Sequence, residues 1–229
     1  MSPLTALEVG SDRTAGRARE DYVKAVFQLG NGASVKAADV ARYLSVSPVS
    51  VSKARRLLER DGLLQPAESS AGALALSSKG RQLAVTMVRR HRLVETFLHG
   101  SLGVALEDIH GEAERIEHVI SDEIAHALAR FLGFPTRDPH GHEIPYHDDD
   151  RPPSRLPSLA HVATGAVVQV ASIDDRDAEI VRELRARGVL PGLTVTIASV
   201  DASAMSLRAP SGDISLSIAS AAMVRVRAR

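Results

Sequence analysis

In the stretch HGEAERIEH, residues 110–118, four side chains are candidate metal ligands by their type and spacing: His110, Glu114, Glu117 and His118. Counted from Glu114 they lie at i−4, i, i+3 and i+4, a spacing that places them on one face of an α-helix. The flanking apolar residues recur at helical intervals, which supports a helix. Imidazole nitrogens and carboxylate oxygens arranged in this way suit a borderline-to-hard divalent cation. The stretch therefore predicts a helix with a metal site.

A second pair of the same kind lies upstream, where His91 and Glu95 are four residues apart in RRHRLVETFL. For a single pair the alternative is an amphipathic helix whose charged side chains face water. Two such helices in tandem favour a metal site. All nine histidines lie between His91 and His161, so imidazole chemistry belongs to the middle of the chain.

The composition excludes several classes of function. The chain has 229 residues, a formal net charge of zero and no cysteine. Zero net charge argues against a polyanion binder by bulk electrostatics, and the lack of cysteine excludes disulfides, thiolate catalysis and cysteine-ligated metal sites. The sequence contains no run of about 18 apolar residues, so it predicts no membrane span. The first residues lack the pattern of a signal peptide. We therefore expect a cytoplasmic protein.

Residues 36–64 have the pattern of a helix-turn-helix. Residues 36–44 predict a short amphipathic helix. Ser47 predicts the N-cap of a second helix, which has Pro48 at its first position and ends near Arg60. This second helix is expected to turn four apolar side chains inward: Val51, Ala54, Leu57 and Leu58.

The helix-turn-helix is followed by the pattern of a small hairpin. Gly62 is expected to end the second helix. Residues 63–64 and 74–76 predict two short extended pieces, with a turn at Ala71 and Gly72. This order is that of a winged helix-turn-helix DNA-binding domain.

The outer face of the second helix is rich in hydroxyl and basic side chains, which can contact bases and phosphates in a major groove. The alternative is a basic face that is only solvated. The residues predicted to bind DNA are Ser47, Ser50, Ser52, Lys53, Arg55 and Arg56.

Residues 77–134 predict three consecutive helices with wide apolar stripes, the first of them capped by Ser77. Their stripes can be buried partly within the subunit and partly in a partner, so residues 86–134 predict a homodimer interface. Residues 135–161 are rich in proline, acidic residues and histidine, which predicts a connecting loop, with a metal-binding tract as the alternative.

Residues 162–229 predict short alternating strands interrupted by one helix, as in a small SH3-like barrel. The predicted fold is mainly α with a small all-β C-terminal domain. The expected domains are a flexible arm (1–16), a winged helix-turn-helix domain (17–80), a helical metal-binding and dimerisation domain (81–145), a linker (146–161) and the barrel (162–229).

Five stretches occur in the order found in the DtxR/MntR family of metal-dependent transcriptional repressors, which the chain resembles. They are DYVKAVFQL (21–29), VSPVSVSKARRLLERDGLL (46–64), MVRRHRLVETFL (87–98), HGEAERIEHVISDEI (110–124) and GFPTRDPHGHEIP (133–145). The resemblance covers residues 17–145, and the barrel is similar to the FeoA-like domain of the longer members. It implies a DNA-binding homodimer that recognises a palindromic operator.

The resemblance also implies two metal sites. The principal site would use Asp21 together with Glu114, Glu117 and His118. The other site would use His91, Glu95 and His110, completed by polar residues of the barrel. The candidates for this last role are Asp174, Asp175, Asp177 and Glu179. Lys24 stands where short manganese-type members have a glutamate that helps to bind a second ion, so two separated sites are expected rather than a close two-metal centre.

The resemblance is to the manganese branch of the family. Iron-type members have cysteine at the position of Glu114 and methionine at that of Asp21, whereas two carboxylates suit Mn(II). We therefore expect Mn(II) as cofactor, with Fe(II), Zn(II), Co(II) or Cd(II) also able to bind in vitro. An Fe(II)-dependent regulator is the alternative within the family. Outside the family, the alternatives are a metal-dependent hydrolase and a module that only binds partners, in which the histidines have no chemical role.

Overall fold

The computed structural model describes residues 3–30, 32–66, 73–146 and 156–229, with side chains from residue 16 onward. The chain divides into two compact units. The first comprises Met1–Arg90 and Pro145–Ser154, and the second comprises His91–Ile144 and Arg155–Arg229. None of the helices in the described part is long and apolar enough to cross a bilayer.

The first unit is a helical domain with a small sheet. Its elements are α1 (Pro3–Gly30), β1 (Val35–Lys36), α2 (Ala37–Tyr43), α3 (Pro48–Arg60), β2 (Ala73–Leu74) and the beginning of α4 (Ser78–Gly100). Strand β1 pairs with β2 in antiparallel fashion, and Leu64 forms a bridge to Leu76. The bridge confirms the predicted pairing of residues 63–64 with 74–76, whereas β1 was not predicted as a partner of β2, and the predicted turn at residues 71–72 lies outside the described residues.

Residues next to the ends of helix α3 determine where this helix of the helix-turn-helix begins and ends. The Ser47 hydroxyl accepts a hydrogen bond of 3.1 Å from the Ser50 backbone N–H, and Pro48 is the first residue of α3. Gly62 has a φ of 72°, as expected for a residue that ends a helix. Val51 and Leu58 are fully buried. Leu57 was wrongly predicted to point inward, since it is 44% exposed. It lies about 100° around the helix from Leu58.

The helical part of the second unit consists of the rest of α4, α5 (Ile109–Ile116) and α6 (Asp122–Phe131). Helix α5 is shorter than predicted, because it ends at Ile116 and leaves His118 in a turn. Glu117 keeps helical backbone angles and its N–H still bonds to the Ala113 carbonyl, so the predicted face is preserved up to that residue. The Ser121 side chain caps α6.

The second unit ends in a five-stranded antiparallel barrel-like sheet with strand order β6-β5-β4-β3-β7. The strands are β3 (Val167–Ile173), β4 (Thr194–Val200), β5 (Ala204–Ala209), β6 (Gly212–Ser217) and β7 (Val224–Ala228). Helix α7 (Ala178–Ala186) follows β3, and α8 (Ile218–Ala222) follows β6. Strands and helix agree with the predicted SH3-like domain. One apolar core joins this sheet to the helices, with Val94, Ile109, Val181 and Leu184 among its members.

Two segment boundaries differ from the expected ones. Helix α1 begins at Pro3, within the stretch predicted as an arm, because its leucine, alanine and glutamate residues outweigh Gly10 and Gly16 in helix propensity. The barrel begins before residue 162, because a 3-10 helix at Leu159–His161 packs into it, with Leu159 fully buried. The predicted linker is thus shorter at its C-terminal end, and its residues 147–155 lie outside the described part.

Candidate metal centre

Three side chains of the predicted second site meet in the interior of the second unit. His91 and Glu95 lie one turn apart on α4, and His110 lies on α5. His91 and Glu95 are buried, which is unusual for a charged pair unless the groups are paired or bind a metal. Helical spacing places the first two on one face of α4, and the packing of α5 brings the third to them.

Glu95 Oε1 is the point on which the imidazoles converge. His91 Nε2 lies 3.1 Å from it, and His110 Nδ1 lies 3.6 Å from it. A third imidazole, that of His140, also has its Nδ1 at 3.6 Å. His140 comes from the loop after α6, which the sequence predicted to be a connector.

The barrel contributes Asp175, from the loop between β3 and α7. Asp175 Oδ2 lies 3.5 Å from His110 Nδ1, 3.7 Å from His140 Nδ1 and 3.7 Å from His142 Nδ1. The other barrel candidates have different partners. Asp174 pairs with Arg176, the Asp177 side chain caps α7, and Glu179 is paired with Arg182 at the surface.

His140 is held in place by contacts that also select its ligand atom. Its Nε2–H donates a hydrogen bond of 3.1 Å to the Leu106 carbonyl, so in the neutral ring the lone pair is on Nδ1. Its own carbonyl accepts a hydrogen bond from the Ile173 N–H. Gly141 follows with a φ of 90°, and a Cβ there would lie 2.2 Å from the Ala171 carbonyl oxygen. The loop therefore lies directly against β3, and only glycine fits.

The geometry of these groups fits a bound divalent cation. The four distances from Glu95 Oε1 and Asp175 Oδ2 to the Nδ1 atoms of His110 and His140 are 3.5–3.7 Å. Ligand atoms about 2.1 Å from a tetrahedral ion are about 3.4 Å apart. Within the described residues, both Glu95 oxygens and His140 Nδ1 are buried without a hydrogen bond of good geometry, although His91 Nε2 is close to Glu95. A cation would satisfy these atoms.

Without a bound ion, the imidazoles of this cluster are positively charged and its carboxylates are negatively charged. Burial would lower the pKa of His110, but Asp175 and Glu95 raise this pKa to about 10. Burial likewise lowers the pKa of His140, while Glu95 and Asp175 raise it to about 9. Burial would raise the pKa of Glu95, but His91 and the other two imidazoles hold that pKa well below its usual range. Protons therefore occupy the imidazoles at neutral pH and compete with a metal ion.

Asp138 belongs to the same cluster. It lies two residues before His140, is buried, and its Oδ2 is 3.3 Å from His142 Nδ1. Oδ2 makes no hydrogen bond of good geometry within the described residues. Neither Asp138 nor His140 was chosen from the sequence, although DPHG within the quoted motif 133–145 was the signal available for both.

The residues predicted for the principal site are divided between the two units of the chain. Glu117 and His118 lie at the end of α5 in the second unit, with His118 Nε2 3.6 Å from Glu117 Oε1. Glu114 is one turn earlier and partly exposed. His91 Nδ1 lies 2.5 Å from Glu117 Oε2, so this imidazole contacts the carboxylates of both predicted sites. Asp21 lies on α1 in the first unit.

The predicted DNA-binding residues lie on α3 and its cap in the first unit. Ser52, Lys53 and Arg56 are exposed, as the prediction requires. Arg55 is different, because its Nε lies 2.8 Å from Glu59 Oε1 and only 20% of its side chain is exposed. Ser47 and Ser50 also serve the helix cap.

Three family models match the chain in sequence order. Residues 16–71 match the N-terminal DNA binding domain of the iron dependent repressors, residues 77–146 match their metal binding and dimerisation domain, and residues 158–228 match the FeoA domain. The iron-dependent repressor IdeR of Mycobacterium tuberculosis (strain ATCC 25618 / H37Rv) is 34% identical over 191 residues, which cover 78% of this chain and 82% of that protein. The diphtheria toxin repressor of Corynebacterium diphtheriae is 36% identical over 131 residues, 57% of each chain.

Solved structures agree with these matches. A manganese-dependent transcriptional repressor in complex with manganese has a TM-score of 0.81 at 31% identity, and the match covers 92% of this chain and 99% of the other. The structure of ScaR with bound Zn2+ has a TM-score of 0.77 at 29% identity, with coverage of 92% and 99%.

Proposed function

The chain belongs to the iron-dependent repressor family, and we propose that it is a Mn(II)-responsive member whose homodimer binds a palindromic operator. Family membership makes it a metal-dependent transcriptional repressor and not an enzyme, which removes the hydrolase alternative. The family matches include a DNA-binding domain and a dimerisation domain, so DNA and a second copy of the chain are its partners. A cytoplasmic location follows from a role on chromosomal DNA.

The choice of Mn(II) rests on the ligand atoms. The chain has no cysteine, and carboxylates stand at Asp21 and Glu114, where iron-type members have sulfur ligands. Oxygen ligands with one imidazole suit Mn(II) better than they suit softer ions. The manganese-dependent repressor described above supports this choice, whereas IdeR, whose name states iron dependence, keeps Fe(II) as the alternative.

Two separate sites would hold the metal. The principal site consists of Asp21, Glu114, Glu117 and His118, of which Asp21 is assigned by the family resemblance. The second site consists of His91, Glu95, His110 and Asp175, with His140 as a further ligand next to Glu95 and with Asp138 and His142 beside it. This second set carries the proposal that the protein binds metal in its interior, because its buried atoms have N–O separations that suit one ion.

His91, which the sequence predicted as a ligand of the second site, also contacts the other predicted site. Its Nδ1 contacts Glu117 at 2.5 Å, while its Nε2 lies 3.1 Å from Glu95. A histidine in this position orients the ligand carboxylate that it contacts, as partners of ligand groups commonly do. Its Nε2 atom would bind the metal ion of the second site.

Metal at the principal site would act as corepressor by joining Asp21 of the DNA-binding domain to carboxylates of the dimerisation domain. Without a cation three carboxylates repel one another, which favours a looser arrangement. A bound cation would hold the two α3 helices of the dimer at the separation of successive major grooves, which is about 34 Å. Metal and DNA then raise each other's affinity equally by linkage.

The direct test is DNA binding to genomic fragments in the presence of Mn(II), Fe(II), Zn(II), Co(II), Cd(II) or a chelator, with Fe(II) handled without oxygen. We expect a retarded palindromic fragment with Mn(II) and none with chelator. Equal binding with chelator would refute metal dependence. Stronger activation by Fe(II) than by Mn(II) at equal free concentration would instead establish the iron alternative.

A further inference from the structure

One buried carboxylate outside both metal sites connects the helical part of the second unit to its barrel. Glu107 lies in the segment between α4 and α5 and is 6% exposed. Its Oε1 accepts a hydrogen bond of 2.9 Å from Arg185 Nη2, and Arg182 Nε lies at 3.4 Å. Both arginines lie on α7, so two cations of one barrel helix converge on a single carboxylate.

The environment of Glu107 makes this contact more than a surface ion pair. Its own backbone N–H lowers the pKa of Glu107, burial opposes this, and Arg185 and Arg182 lower the pKa further, so the group stays charged. Its second oxygen, Oε2, is buried without a hydrogen-bond partner within the described residues. A carboxylate removed from water in this way depends strongly on its remaining partners.

The segment between α4 and α5 contacts one second-site ligand, His140, directly. It is linked to another, Asp175, through α7. The Leu106 carbonyl accepts the Nε2–H of His140. The next residue, Glu107, binds α7, whose N-cap Asp177 comes two residues after Asp175. Val181 and Leu184 on the same helix are fully buried in the core shared with Leu106 and Ile109. Asp175 lies in the loop that joins β3 to α7, so the position of α7 fixes one end of this loop relative to His110.

We propose that Glu107 is a positioning residue of the second metal site, which anchors α7 through Arg185 and Arg182 and so holds Asp175 near the helical ligands before a metal binds. The proposal rests on the second site proposed above. Among the described residues, Glu107 makes its ion pairs with Arg185 and Arg182, so its effect on metal binding runs through α7. It makes the barrel a preformed part of the site, so metal affinity does not include the cost of docking the barrel.

The test is calorimetric Mn(II) titration of the full chain in a Glu114→Ala/His118→Ala background, which leaves only two ligands of the principal site and so isolates the second. We expect Glu107→Gln, which keeps the size but removes the charge, to weaken second-site affinity by about five- to tenfold. Arg185→Gln should give a similar loss. The double variant should lose little more than either single one, because the two residues act as a pair.

The matched control is Glu179→Gln. Glu179 is the other carboxylate partner of Arg182, but it lies on α7 itself and its side chain is 84% exposed. Its replacement should leave second-site affinity unchanged. Glu107→Asp, which keeps the charge, should restore part of the affinity lost in Glu107→Gln.

A measurement without metal separates a positioning role from loss of the fold. The chain has no cysteine, so spin labels can be attached at Arg115→Cys and Ala186→Cys and their distance measured in metal-free protein diluted with unlabelled chain. We expect a narrow distance distribution that broadens with Glu107→Gln, while circular dichroism stays the same.

The possible failures are distinct. If Asp175→Asn does not change Mn(II) binding in the Glu114→Ala/His118→Ala background, the second site itself is wrong. If Asp175→Asn abolishes binding but Glu107→Gln binds as tightly as its parent, the second site stands and the positioning role of Glu107 is refuted. Equal losses with Glu179→Gln and Glu107→Gln would also refute it.

Discussion

At the scale of single residues, the imidazoles of the second site determine how metal binding depends on pH. Without metal, His110 has a pKa of about 10 and His140 a pKa of about 9, both above the usual 6.5. These protons contribute stability to the metal-free fold below pH 6.5, and this contribution is lost as the pH rises through 9 to 10. A metal must displace them, so metal affinity rises with pH across the neutral range.

We therefore predict that Mn(II) binding at the second site releases about one to two protons at pH 7. Calorimetry in buffers of different ionisation enthalpy measures this number directly. His140→Ala should lower it by about one and weaken binding. Binding without proton release, or affinity that falls as the pH rises from 6 to 8, would contradict the assignment of both histidines as ligands.

Glu114 tests the choice of metal. Its replacement by cysteine introduces a thiolate, which suits softer and later ions than a carboxylate does. We predict that Glu114→Cys shifts activation of DNA binding from Mn(II) toward Fe(II) or Zn(II), measured by metal titration and operator binding in parallel. Glu112→Cys is the control, because Glu112 lies on the same helix but pairs with the exposed Arg115. Unchanged metal preference in Glu114→Cys would remove Glu114 from the site.

At the scale of elements, local signals predicted the helices well and long-range packing less well. Ser47 and Ser77 cap α3 and α4, because a cap depends only on the next three residues. The pair His91 and Glu95 was also visible, because helical spacing is local. His140 and Asp175 join them from a loop and from the barrel. Sequence spacing carries no information about that contact, so the second ligand set was predicted only in part.

Helix α3 gives a prediction about DNA that the structure refines. Lys53 and Arg56 are exposed, while Arg55 is paired with Glu59. We predict that Lys53→Ala and Arg56→Ala each weaken operator binding and reduce its salt slope by about one. Arg55→Ala should have a smaller effect, because Arg55 must first leave Glu59. Arg60→Ala, at the end of the same helix, is the control. If all four substitutions weaken operator binding equally, the proposed face of α3 is not the one that contacts the DNA.

At the scale of the whole molecule, the proposed function depends on two units, each of which packs around its own core. The first unit packs α1 to α3 around residues such as Val26 and Val51. The second packs helices and barrel around residues such as Ile109 and Val195. The fold class, mainly α with a small all-β part at the C-terminal end, was predictable from periodicity, since helical and strand patterns occupy different parts of the chain. Regulation then requires a device that makes one unit respond to the other.

The proposed device is a metal ion that joins Asp21 to Glu114, Glu117 and His118, and Asp21→Ala tests it. Three ligands remain in this variant, so we predict that Mn(II) still binds, with lower affinity. The link to the DNA-binding domain is lost, and coupling free energies of about 1–3 kcal/mol correspond to about 5- to 150-fold in operator affinity. The expected result is a loss of DNA affinity in this range at saturating Mn(II), with little change in chelator. Asp39→Ala, which removes an exposed carboxylate of the same unit, should bind DNA normally. If Asp21→Ala keeps full metal-dependent DNA binding, the metal does not connect the two units, and it must act within the dimerisation domain alone.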